Sequence, residues 1–149
     1  MPFVTTVLAT STLSLNCAYV PASNLADSPT ALAALQAKAD QAQHRDRCFL
    51  YAELIRRMTE LAGQQFNSGD SEHALETLKL MQRYAENIHS DAAEDSKKLK
   101  DAELLMQGTS FRLKHILREA SYEDRPALEA TLQQLDQVEA QLMMKVLKK

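Results

Sequence analysis

The feature that most constrains this chain is an apolar repeat that keeps one phase from residue 74 to residue 120. Steps of four and three residues, the spacing of one helix face, meet apolar side chains at nearly every position, and only Asp95 and Thr109 are polar. We call this set the seam; its members are Ala74, Leu78, Met81, Ala85, Ile88, Ala92, Asp95, Leu99, Ala102, Met106, Thr109, Leu113, Ile116 and Ala120. Such a repeat is typical of a helix packed along its length, so we predict one helix over residues 71–120, about 75 Å long at 1.5 Å per residue.

A second interpretation places a break inside the seam, at residues 90–96, where Ser, Asp and Glu dominate. Side chains of these types cap helices, and a break there would give a compact four-helix bundle. We favour a continuous helix, because a loop has no need to preserve the phase of the repeat.

Helix breakers set the limits of the other helices. Ser28 precedes Pro29, which is the usual order of a capping residue and a first helical residue. Gly69 can adopt the left-handed geometry that ends a helix, and Asp70 can cap the next one. Pro126 lies in the opening turn of the last helix. The predicted helices are 28–66, 71–120 and 126–148.

These limits predict an all-α fold, an elongated up-down-up three-helix bundle with a long central helix, in a single domain over residues 27–149. With 3 Gly and 4 Pro in 149 residues, the chain lacks the turn residues of an all-β protein. Residues 40–47 contain no large apolar side chain, so they form either a solvated part of the first helix or its weak point.

Residues 1–26 contain no Asp, Glu, Lys or Arg. An apolar stretch rich in Ser and Thr is followed by Val20 and Ala22, small residues at the spacing of a signal-peptidase site. We therefore interpret this segment as a signal peptide or a disordered leader. The first interpretation predicts a periplasmic or secreted protein, with no integral membrane span in the mature chain, and the second is compatible with a cytoplasmic one.

Residues 58–81 resemble a tetratricopeptide-repeat hairpin. The matching residues are Leu61, Ala62, the turn at Gly69 and Asp70, Ala74 and Leu78. The likeness covers about a sixth of the chain, and no second copy lies at a period near 34 residues. It is therefore a likeness of hairpin packing, and it implies a role in protein–protein contact.

Residues with metal-binding chemistry are scattered along the sequence. Glu86 and His89 have the spacing that di-iron bundles use, but the chain has no second Glu-x-x-His pair. His44 and Cys48 lie one helical turn apart and offer two ligands, whereas structural zinc needs four. We therefore predict no metal, no cofactor and no enzymatic activity, and we interpret Cys48 as a small apolar helix residue.

The remaining features favour a role in protein interaction. A net charge of -3, with basic and acidic residues interleaved, predicts no nucleic-acid partner. Adaptable methionines near the C-terminus suggest a partner-binding patch formed by Met143, Met144, Val146 and Leu147. The predicted function is an exported, non-enzymatic interaction or structural module, with a protein partner or self-association. The alternatives are a small-ligand or metal-binding four-helix bundle and a cytoplasmic adaptor or regulatory domain.

Overall fold

The structure, a computed structural model, describes residues 28–92 and 98–148. This part of the chain contains five α-helices and no strand, which confirms the all-α prediction. The helices are α1 (Pro29–Gln41), α2 (His44–Asn67), α3 (Ser71–Asp91), α4 (Leu99–Glu119) and α5 (Arg125–Leu147). The predicted three-helix bundle is therefore wrong, because two of its three helices are each divided. The proposed leader, residues 1–26, lies outside the described residues.

The first predicted helix, 28–66, is divided at Ala42 and Gln43, within the stretch that lacks large apolar residues. Both residues have extended backbone angles, and the Arg47 side chain donates from Nε to the Ala42 carbonyl oxygen at 2.9 Å. Because this stretch has no large apolar side chain to bury, the chain turns there, and α1 packs back against α2. Leu32 and Ala39 of α1 are buried as a result.

The predicted helix over 71–120 is also wrong, and the alternative break near residues 90–96 is present. The helix α3 ends at Asp91, and α4 begins at Leu99 after Lys98, whose φ of 54° is left-handed. A helix continued through the polar run of residues 90–96 would bury only two alanines there. Folding back lets both halves of the seam face a common core, which stabilises the chain by about 25 cal/mol per Å² of apolar surface buried.

The phase of the seam was nevertheless predicted correctly. Every seam residue inside α3, α4 and their caps is buried, except Ala120, which is half-buried; Asp95 lies outside the described residues. Each helix needs one row of apolar side chains that faces the core, so the repeat indicates which side chains are buried. It does not record whether the backbone between them is continuous.

Four of the helices form a ring around this core. The backbone of α2 packs against α3 and α4, and that of α5 against the same two, whereas α1 packs on α2. In the described part of the chain, no close backbone approach joins α2 to α5 or α3 to α4, so these pairs lie across the diagonals. Residues 92–98 therefore link two diagonal helices.

Contacts between residues of different helices establish the relative directions of the helices. The Arg112 side chain donates to Glu60 at 3.2 Å, and a Cβ built on Gly63 would lie 3.1 Å from Cδ1 of Ile116, so α2 and α4 run parallel. The helices α3 and α5 are also parallel: Ser71 at the start of α3 contacts Asp124 just before α5, and His89 near the end of α3 contacts Gln141, farther along α5. The bundle thus consists of two antiparallel hairpins, α2–α3 and α4–α5, laid side by side.

The second helices of the two hairpins bury equivalent positions. Each of the five buried residues of α5 lies 54 positions after a buried residue of α3. The pairs are Ala74 with Leu128, Thr77 with Thr131, Met81 with Leu135, Tyr84 with Val138 and Ile88 with Leu142. The two hairpins therefore present the same inward pattern to the core.

The predicted caps are confirmed at two helix starts. The Ser28 hydroxyl accepts from the Ala31 amide at 3.2 Å, with Pro29 in the first turn of α1. Before α3, Gly69 has a φ of 80°, and the Asp70 carboxylate accepts from the backbone of the first turn. These bonds satisfy amide groups that a helix leaves without internal partners.

A buried carboxylate joins the two hairpins at one end of the bundle. Asp124 lies immediately before α5, and its Oδ2 accepts from the Ser121 hydroxyl at 2.6 Å and from the Ser71 hydroxyl at 3.1 Å. Ser71 is the first residue of α3, so the bond crosses from one hairpin to the other. Hydrogen bonds to a charged group of this kind contribute more than neutral ones.

We predict that Asp124→Ala lowers the free energy of unfolding by about 1–3 kcal/mol, since both hydroxyls lose their acceptor. Urea denaturation followed by circular dichroism measures the change. The matched control is Glu123→Ala, at the exposed neighbouring position, which should cost less than about 0.5 kcal/mol. Equal stability of the two variants would contradict the assignment.

Candidate interaction surfaces

The predicted C-terminal patch lies on the last two turns of α5. Met143, Met144 and Leu147 are 45%, 57% and 74% exposed, whereas Val146 is half-buried and packs against the core. Leu142 beside them is fully buried. The helix thus ends with its inner side in the core and a group of large apolar side chains in water.

A second apolar surface, on α4, was not predicted from the sequence. Leu104 and Phe111 are 51% and 70% exposed, and they lie seven residues apart on the side of α4 that faces away from the core. Gly108 lies between them and is also exposed. The available signal was the presence of two large apolar residues outside the seam at a helical spacing.

The candidate metal ligands Glu86 and His89, for which the sequence predicts no bound metal, lie on an exposed face of α3. Both residues line an open groove of about 450 Å³ between α3 and α5, whose other wall carries the amides of Gln134, Gln137 and Gln141. The Gln141 amide donates to the His89 carbonyl oxygen at 3.2 Å. The groove therefore brings the pair next to neutral amides and to no further carboxylate or imidazole among its lining residues.

The other histidines in the described ranges lie beside carboxylates. His44 is 3.6 Å from Asp91, and His115 is 3.5 Å from Glu119. His73 lies 2.8 Å from Asp70, which raises the pKa of the imidazole through that hydrogen bond. Across residues 28–92 and 98–148, no three side chains of His, Cys, Asp or Glu are grouped so as to hold a metal ion.

Cys48 is buried at the start of α2, as expected of a small apolar residue. His44, one helical turn before it, is exposed and lies 3.6 Å from Asp91. Burial raises the pKa of the thiol from 9.0 to about 11, although the positive charge of Lys145 opposes the shift. A thiol of this kind is a weak nucleophile at neutral pH.

A further groove of about 620 Å³ lies between α1, α2 and the start of α4. Its lining includes Ala34, Ala37 and Phe49, and the Lys98 ammonium lies 4.5 Å from the centre of the Phe49 ring.

Comparisons with known proteins give no further assignment. No protein-family model matches the chain, and neither a curated protein nor a solved structure matches it. None of the helices in the described ranges is both long and apolar enough to cross a membrane.

We predict that Cys48 in the folded Cys17→Ser variant reacts with iodoacetamide at pH 8 roughly 100-fold more slowly than in denaturant, or slower still. A pKa of about 11 instead of 9.0 lowers the thiolate fraction at this pH, and the rate should keep rising as the pH approaches 11. The denatured sample supplies the control. Native and denatured rates within a few-fold of each other would contradict the burial of this thiol.

Proposed function

We propose that this chain is an exported, non-enzymatic helical bundle that serves as a protein-interaction or structural module. The observation that carries the proposal is the C-terminal patch, where Met143, Met144 and Leu147 remain in water at the end of a helix whose inner side is packed. Grouped apolar side chains of this size on a soluble protein are typical of binding surfaces.

The chemistry of the patch indicates the kind of partner. Methionine side chains are flexible and polarisable, so they adapt to irregular apolar surfaces. Lys145 and Lys148 lie in the same turns, and Lys148 is exposed. A matching partner would therefore offer an apolar groove with acidic residues at its rim.

Two further observations support a role without catalysis and outside the cytoplasm. The imidazoles of His44, His73 and His115 each lie beside a carboxylate and are exposed on the surface, outside any enclosed site. The uncharged segment of residues 1–26 has the apolar stretch of an export signal and, in Val20 and Ala22, its small residues before a cleavage site, but it lacks the basic residues that begin such signals.

We expect a photo-crosslinking amino acid at Met144 to capture a protein partner in the native host. The matched control is the same amino acid at Gln133, an exposed position on the same helix. Adducts should form at Met144 and not at Gln133, and Leu147→Glu should remove them, because it places a charge in the apolar contact. Absence of adducts at Met144, or the same adducts at both positions, would contradict the proposed docking patch.

Export with cleavage predicts that the protein isolated from its native host begins at Ser23, after Ala22. Mass spectrometry of the intact protein measures this directly. Ala22→Glu should block cleavage, because the residue before the cleavage site must be small. Leu25→Glu, beyond the site, is the control and should leave cleavage unchanged. Retention of Met1 in the unmodified protein would favour the cytoplasmic alternative.

A further inference from the structure

We infer that Met143 and Met144 form an oxidation site, at which a hydroperoxide converts two thioethers to sulfoxides and turns the C-terminal patch from apolar to polar. The exposed part of this patch consists of these two methionines and Leu147. The consequence is that oxidation releases the partner, and this consequence rests on the proposed function. The oxidation itself does not, because it depends only on which sulfur atoms a peroxide can reach.

The sulfur atoms of the described ranges divide by accessibility. There are six of them, one in Cys48 and five in methionines. Four belong to side chains that are no more than 6% exposed: Cys48, Met58, Met81 and Met106. The two exposed ones, in Met143 and Met144, are neighbours in the chain, and both lie in the C-terminal patch. An oxidant in solution therefore meets sulfur at one place on this part of the molecule.

The buried sulfur atoms also have environments that disfavour oxidation. The sulfur of Met81 accepts a hydrogen bond from the Thr59 hydroxyl at 3.9 Å. A cysteine reacts with peroxide as its thiolate. Burial raises the pKa of Cys48 to about 11, so this thiol stays protonated at neutral pH and does not compete for the oxidant.

The position of the two methionines makes their oxidation a change at the surface and not in the core. Leu147 lies four residues after Met143 and three after Met144, so the three side chains share one side of the last turns. The inner side of these turns is held by Leu142, which is fully buried. A sulfoxide oxygen is a strong acceptor, and burying it against an apolar partner without a donor opposes binding. Oxidation should therefore weaken docking and leave the bundle folded.

The chemical step needs a hydroperoxide and no group of the protein besides the thioether. The sulfur lone pair attacks one peroxide oxygen, the S–O bond forms as the O–O bond breaks, and the proton moves to the leaving oxygen, which departs as water or an alcohol. Sulfur loses two electrons and the peroxide gains them. Two thiols reverse the step: they are oxidised to a disulfide, and the sulfoxide oxygen leaves with their two protons as water. The site is therefore reversible.

Peptide mass spectrometry of the purified chain after dilute hydrogen peroxide tests the selectivity. In the folded chain, Met143 and Met144 should gain oxygen about tenfold faster than Met58, Met81 and Met106, or faster still, because susceptibility follows exposure. In denaturant all five should react at similar rates, which controls for the effect of neighbouring residues. The circular dichroism of the oxidised chain should match that of the untreated chain.

A photo-crosslinking amino acid at Leu147, which leaves both methionines in place, tests the release. The chain is oxidised, freed of peroxide and only then mixed with an extract of the native host, so the partner itself is not oxidised. The yield of adducts should fall about tenfold, since a polar group is placed in an apolar contact. Treatment with a thiol-dependent methionine sulfoxide reductase should restore it.

The matched control carries both Met143→Leu and Met144→Leu, which keep the patch apolar and remove its sulfur. This variant should form the same adducts before and after peroxide.

Equal oxidation of all five methionines in the folded chain would overturn the inference. So would adducts at Leu147 that peroxide does not change, or an equal loss of adducts in the double leucine variant. Absence of adducts even before oxidation would instead contradict the proposed function, so the two failures are distinguished.

Discussion

The fold depends on burying one apolar stripe from each of four helices in a single core. None of α2 to α5 is hydrophobic on all sides, and none can bury its stripe alone. The stripes of α3 and α4 are halves of one repeat, and only a reversal of the chain between Asp91 and Leu99 brings both halves inward. The ring of four helices, the parallel arrangement of the two hairpins and the exposed face of α4 all follow from that reversal.

The sequence therefore predicted the inward residues better than the path of the backbone. Caps at Ser28 and Asp70 located two helix starts because they rest on local hydrogen bonds that any environment preserves. The break after Asp91 could not be predicted as firmly. An apolar repeat with steps of four and three residues can continue in the same phase on both sides of a loop, provided that the loop has a suitable length. The equivalence of α3 and α5 was missed because it lies in burial and not in residue identity: Met81 corresponds to Leu135, and Tyr84 to Val138.

The two candidate surfaces also differ in how well the sequence predicted them. The methionines at the end of α5 suggest a partner patch by their chemistry, and the structure adds only that Met143, Met144 and Leu147 are exposed whereas Val146 is half-buried. Leu104 and Phe111 were not predicted as a surface, because the seam indicates only the side chains that face the core. In a bundle whose core is supplied by the seam, large apolar residues on the opposite face of a helix lie outside that core and remain exposed to water.

The distance between residues 72 and 118 tests the reversal of the chain most directly. Spin labels on Glu72→Cys and Arg118→Cys, with Cys17 and Cys48 replaced by serine and with excess unlabelled chain to suppress contacts between copies, can be measured by double electron–electron resonance. Both exposed positions lie at the same end of the bundle, so we predict a separation under about 30 Å. A single helix would separate them by about 69 Å, and a distance near that value would contradict the reversal of the chain between α3 and α4.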